Sequence, residues 1–162
     1  MRGLPFVQHG FSVIEMLIAV AIAGILLAVG VVNLQAPAAR LFANDVKAQL
    51  EQARFEAIRR NAPVAVVWEP GASRFATRLE PEELPTVGTT CTGSQVLQTR
   101  APTEYRNVTV DVSEWPGGVV WLPSGQGRTC NGAPAIGGDI SITDGRTTRV
   151  VEVSVGGRVS VR

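Results

Sequence analysis

FSVIEMLIAVAIAGILLAVGVVNL, residues 11–34, decides how this chain is read. Between Met16 and Val32 it carries no charged or strongly polar side chain. That is about the length a bilayer core requires of a helix. A secretory signal peptide is the obvious competitor, and three features argue against it. The polar stretch MRGLPFVQHG precedes the apolar run, with Gly10 at its edge. No A-x-A-like site with a composition break follows. The apolar run also passes into an amphipathic segment instead of stopping. In the ten-residue leader Arg2 is the sole full charge, so charge bias orients the segment only weakly.

Glu15 is the informative residue within this run. A carboxylate inside an apolar helix costs roughly 2.5–3.5 kcal/mol on insertion scales, so a partner is expected. Cleavage between Gly10 and Phe11 would create an α-amino group. In a helical assembly, that group on one subunit would meet Glu15 of its neighbour, and dry surroundings would strengthen the attraction. The alternative places Glu15 in the headgroup region, hydrated.

The helix is expected to continue beyond the apolar run. Leu41, Phe42, Val46, Leu50, Ala53, Ala57 and Ile58 recur at helical spacing, with Arg40, Asp45, Lys47, Glu51, Arg54 and Arg59 on the other faces. Asn61 and Pro63 end the pattern. One helix over residues 11–60 would be about 75 Å long, with Pro37 as a point of kinking.

Gly10-Phe11-Ser12-Val13-Ile14-Glu15 followed by an apolar helix resembles the prepilin signature. The resemblance implies a leader of residues 1–10 removed by a prepilin peptidase after Gly10. It implies N-methylation of Phe11 and an assembly role for Glu15. It also implies residues 11–34 as the membrane and filament-core helix, 35–62 as its amphipathic continuation, and 63–162 as an extracytoplasmic β-rich domain. The fold class is therefore α+β, the type IV pilin fold, with a long N-terminal helix on an antiparallel sheet domain.

The C-terminal part supports this on its own residues. PVAVVW (63–68) and RFATRL (74–79) flank a Pro-Gly turn and read as a hairpin. Residues 80–106 read mostly as loop, with Glu80, Glu82 and Glu83 a solvated surface and not a metal site. NVTVDV (107–112) and GVVWL (118–122) are strand candidates, and 123–138 is a turn-rich connection without a phosphate-loop motif. DISIT, an Asp144-Gly145 turn, RTTRVVEVSV, a Gly156-Gly157 turn and RVSVR form a three-strand meander. A long helix against such a sheet lets each cover the other's apolar face.

The chain has two cysteines, Cys91 and Cys130, with no zinc-like spacing. In an exported domain they most simply form one disulfide, stabilising by roughly 4 kcal/mol on the chain-entropy model; two buried thiols are the alternative. The single histidine is His9, so a processed chain would have none. That excludes Ser-His-Asp and Cys-His catalysis and histidine-ligated metals. No enzyme activity, metal or cofactor is expected.

QARFEAIRRNAPVAVVW (52–68), VVWLPSGQG (119–127) and GDISITDGRTTRVVEVSVGGRVSVR (138–162) resemble the GspH/FimT type of minor pilins and pseudopilins. FimT-like members bind DNA through a C-terminal Gly-Arg-x-Arg motif. Gly157 and Arg158 match it; the second arginine position holds Ser160, and Arg162 follows. On a strand Arg158 and Arg162 share one face, about 13 Å apart, with Val159 and Val161 toward the core. From Gly145 onward there are four arginines (Arg146, Arg149, Arg158 and Arg162) and one acid, Glu152. This is a candidate phosphate-binding face. A solvated face in an arginine-rich chain is the bland alternative. The resemblance implies a minor pilin that primes or joins a pilus, with DNA as a partner, or else a minor pseudopilin of type II secretion. Its other partners would be pilin subunits, the peptidase and the inner membrane, with the globular domain in the periplasm or outside.

Overall fold

The computed structural model describes residues 12–33, 37–80, 91, 93–115, 118–130, 137–154 and 156–162. The chain divides into two compact units, residues 1–36 and residues 37–162. In the first unit, α1 runs Val13–Asn33, with Glu15 in its first turn. Its side chains from Ser12 to Leu27 are all exposed, apolar ones on every side included. Such a helix has no buried stripe of its own and needs lipid or other helices around it. Among the described residues no helix is long and apolar enough to cross a membrane. The expected single helix over 11–60 passes through residues 34–36, and its start at Phe11 and the cleavage site at Gly10 also lie outside the described residues.

The second unit opens with α2, Ala38–Arg60, preceded by Pro37 and closed by Asn61 in the left-handed conformation (φ 49°). Asparagine tolerates this conformation better than most residues, and its N–H bonds to the Ala57 and Ile58 carbonyls. Ala39, Phe42, Ala43, Val46, Leu50, Ala53 and Ala57 form the buried stripe, spaced three and four apart as a one-sided helix requires. Leu41 and Ile58, expected on this stripe, are instead exposed. Each sits one position, about 100° of helix rotation, from a stripe residue, and the covered stripe is too narrow to include them.

Among the described residues nine strands follow: β1 Val64–Glu69, β2 Arg74–Leu79, β3 Gln95–Arg100, β4 Thr109–Asp111, β5 Val119–Trp121, β6 Gly127–Thr129, β7 Gly138–Thr143, β8 Thr148–Val153 and β9 Val159–Val161. They form two antiparallel sheets, ordered β3-β2-β1-β5-β6 and β4-β7-β8-β9. The β1–β2 hairpin and the β7–β8–β9 meander stand where the sequence puts them. β3 and β6 fall in stretches read as loop and connection. Both are edge strands with little apolar alternation, so periodicity gives no signal for them.

α2 packs against β1, β2 and β5 of one sheet and β7, β8 and β9 of the other. Val64, Val66, Phe75, Val119 and Trp121 meet it from the first sheet, and Ile140, Ile142, Val151, Val153 and Val159 from the second. Phe42 stacks obliquely on Phe75 and Tyr105, at centroid distances of 6.3 and 5.2 Å. A polar bond lies within the core: Gln49 Nε2 donates to Thr77 Oγ1 at 2.9 Å. On the opposite face of the first sheet, Ala65, Val67, Ala76, Val120 and Cys130 make a second, smaller core. Cys91 packs against it and is bonded to Cys130. The bridge joins the segment before edge strand β3 to the one after edge strand β6, closing a separation of 39 residues.

Glu80 corrects the solvated-loop expectation. It is buried, with both carboxylate oxygens 2.9 Å from the Gly93 N–H. A buried carboxylate is tolerable because it accepts hydrogen bonds there. Glu82 and Glu83 lie outside the described residues. Among the described residues no group of His, Cys, Asp or Glu could hold a metal.

Candidate functional site

The arginine-bearing meander is built by its two turns. In the β7–β8 turn, Gly145 has φ +81°, and Asp144 Oδ1 accepts the backbone N–H groups of Arg146 (3.0 Å) and Thr147 (2.8 Å). Its other oxygen, Oδ2, accepts the Ala39 N–H at 3.2 Å. The turn thus caps the start of α2, where Pro37 offers no side-chain cap. These donors stabilise the carboxylate and hold its pKa at about 2, with the Thr147 N–H the largest contribution.

At the β8–β9 turn Gly157 has φ +76° and a buried position. A Cβ there would lie 2.8 Å from Trp121 Cζ3. The Gly157 carbonyl accepts from Arg54 of α2 at 3.5 Å, and the Arg54 guanidinium stands 5.8 Å from the Trp121 ring centroid. The glycine of the resembled motif is therefore required by packing as well as by backbone conformation.

The strand register sorts the four candidate arginines. Arg158 and Arg162 are exposed, while Val159 is buried and Val161 half-buried. Arg162 Nη2 lies 2.7 Å from Asp139 and Nη1 3.6 Å from Glu152. Ser160, at the second motif position, pairs with Glu152 across the ladder. Arg158 makes no ion pair among the described residues; its N–H donates to Ser154 Oγ at 3.1 Å. Arg149 pairs with Ile142, so it lies on the opposite, core-facing side of the sheet. Arg146 projects from the β7–β8 turn and is exposed. The four arginines are thus divided between two sheet faces and a turn; they do not make one patch. Chain order alone misses this division and Asp139, which holds Arg162 but lies before the counted segment.

Elsewhere, Glu56 is pulled down to about 2 by hydrogen bonds from Arg59 and Arg60, and Glu69 is lowered by Arg78 and Arg74. The Tyr105 hydroxyl donates to Asp45, which raises its pKa to about 12. A shallow cavity of about 200 Å³ lies between α2 and the β2–β3 edge, lined in part by Glu56, Arg60 and Thr77. It is below the roughly 300 Å³ at which small-molecule sites begin.

A helix ahead of a helix-backed pair of antiparallel sheets, with a bridged cysteine pair, defines a type IV pilin-like subunit. The chain belongs to the GspH family, described as type II transport protein GspH, whose model matches residues 43–157. The prokaryotic N-terminal methylation motif matches residues 6–31. Solved structures share the fold, two of them as follows. The type IV minor pilin FimU of Pseudomonas aeruginosa is 16% identical, with a TM-score of 0.56 over 74% of this chain and 84% of that one. The minor pseudopilin EpsH of the Vibrio cholerae type 2 secretion system is 15% identical, with a TM-score of 0.53 over 76% and 95%. No curated protein matches the chain.

Proposed function

We propose that the chain is a structural, non-catalytic minor subunit of a type IV pilus. It is anchored in the inner membrane by α1, cut after Gly10 by a prepilin peptidase, and methylated on Phe11. Its globular unit stands in the periplasm or outside, and the subunit joins or primes a filament with other pilins. The observation that carries this reading is the exposed apolar surface of the two helices. From Val13 to Leu27 α1 leaves its apolar side chains open all round, and α2 leaves Leu41, Phe55 (70% exposed) and Ile58 exposed. Exposed apolar side chains all round a helix call for lipid in the stored state and neighbouring helices in the assembled one. Mass spectrometry of the mature N terminus tests it: an N-methylated Phe11 is expected, and a retained Met1 overturns it.

DNA binding by this subunit would run through Arg158, the exposed motif arginine that makes no ion pair among the described residues. A pseudopilin of type II secretion is the second reading, favoured by the description of the matched family. Co-purification of the membrane-extracted chain separates the two: pilus subunits support the first, secretion subunits the second.

A further inference from the structure

We propose that Arg40, Arg146 and Arg149 form a docking surface by which the globular unit rests on the phosphate-bearing headgroups of an anionic bilayer. The proposal rests on the membrane reading of α1. Asp144 ties the backbone next to Arg40 to that of Arg146, and Arg149 follows in the adjoining strand. The Asp144 carboxylate accepts the N–H of Ala39, the residue before Arg40, and that of Arg146. Arg149 is one ladder step beyond the Thr143–Thr148 pair that flanks the same turn. Arg40 and Arg146 are exposed. Arg149 is half-buried; its Nε is itself buried and finds no acceptor among the described residues, so only the outer end of its guanidinium is offered to a headgroup. None of the three is in an ion pair among the described residues, whereas Arg59, Arg60, Arg74, Arg78 and Arg162 each hold a carboxylate.

Two arguments point to lipid. The first turn of α2 contains Arg40 and no acid. That is the wrong sign for the helix dipole, so Arg40 does not serve helix stability. Second, only residues 34–37 separate Asn33 of α1 from Ala38 of α2. Chain reach limits that gap to about 18 Å. A bilayer around α1 therefore has its headgroups within reach of the arginines pinned to the start of α2. Guanidinium groups match phosphate oxygens in pairs.

The full chain tests this with Thr148→Cys carrying an environment-sensitive fluorophore; the native cysteines are bridged, so the label goes to one site. The expected result is a blue shift in vesicles of phosphatidylcholine with phosphatidylglycerol relative to phosphatidylcholine alone. Each arginine replaced should lower the docked-to-undocked ratio by about fivefold. Arg40→Gln with Arg146→Gln changes two exposed residues; adding Arg149→Gln completes the set. Equal emission in both vesicles, or a shift that the double and triple variants retain, overturns the docking surface while leaving the anchor intact. A chain that floats with neither vesicle overturns the anchor, and docking with it. A shift produced by another pilin subunit in detergent, but not by anionic lipid, assigns the patch to protein and also overturns the proposal.

Discussion

The Asp144 carboxylate, in a turn of the second sheet, accepts the backbone N–H of Ala39, 105 positions earlier at the start of α2. It also organises its own turn through Arg146 and Thr147. Replacing it should loosen helix and turn together. Asp144→Ala is expected to lower the thermal midpoint by a few degrees at neutral pH. The pH dependence has a definite sign. The folded carboxyl titrates at about 2, below the unfolded value of about 3.9. Its contribution is present above the unfolded value and lost as pH falls through the folded one. The gap between wild type and variant should therefore close between about pH 4 and pH 2. A constant gap in calorimetry would remove the charge from the account.

The Cys91–Cys130 bridge closes 39 residues and ends in the small core on the outer face of the first sheet. Losing it should cost about 2–4 kcal/mol in urea unfolding. The double variant Cys91→Ala, Cys130→Ala should match reduced wild type and show no further response to reductant. A reductant-insensitive wild type would contradict this.

Gly156 and Gly157 are adjacent but unequal. A Cβ at Gly156 meets nothing within 4 Å, whereas at Gly157 it meets Trp121 at 2.8 Å with φ at +76°. Gly157→Ala is expected to cost about 1–3 kcal/mol, and Gly156→Ala within about 0.5 kcal/mol of nothing. Equal denaturation midpoints for the two variants would refute the packing argument.

How much of this was legible beforehand depends on whether a feature is local. Asn61 ends α2, and the Asp144-Gly145 and Gly156-Gly157 turns delimit β8, as turn and capping chemistry requires. The hairpin at Val64–Leu79 follows from its alternation. Strand β3, QVLQTR, was hidden because an edge strand half open to water needs no apolar period. The burial of Glu80 depends on the Gly93 N–H, and the neutralisation of Arg162 on Asp139, 23 positions away. Register decided which face Arg149 takes, and a shift of one residue would have reversed it. For the candidate site, composition located the arginines, but only tertiary placement showed which of them are free.

That distinction makes DNA binding a discriminating measurement. Arg162 is held by Asp139 and Glu152, while Arg158 is exposed and unpaired among the described residues. If the subunit binds DNA through this face, Arg158→Ala should weaken it and lower the salt slope by about 0.9, the loss of one phosphate contact. Arg162→Ala should have the smaller effect. Polarisation titrations at several salt concentrations would show the order, and a larger loss at Arg162 would reverse the assignment.

Glu15 separates anchoring from assembly. In the single chain its side chain is exposed, in the first turn of a helix whose neighbouring side chains are apolar. In a filament, the α-amino group created at Phe11 of an adjacent subunit would neutralise it where water is scarce. The globular unit is a separate compact body, so Glu15→Ala should leave its thermal midpoint unchanged. Incorporation into filaments should fall by tenfold or more, the equivalent of about 1.4 kcal/mol. Glu15→Gln keeps the shape and the hydrogen-bonding capacity but not the charge. If attraction to the amino terminus is the cause, it should fail as badly as alanine; if the carboxylate merely accepts a hydrogen bond, glutamine should restore assembly. Quantifying sheared filaments from both variants decides between charge and shape, and normal incorporation of the alanine variant would exclude either role.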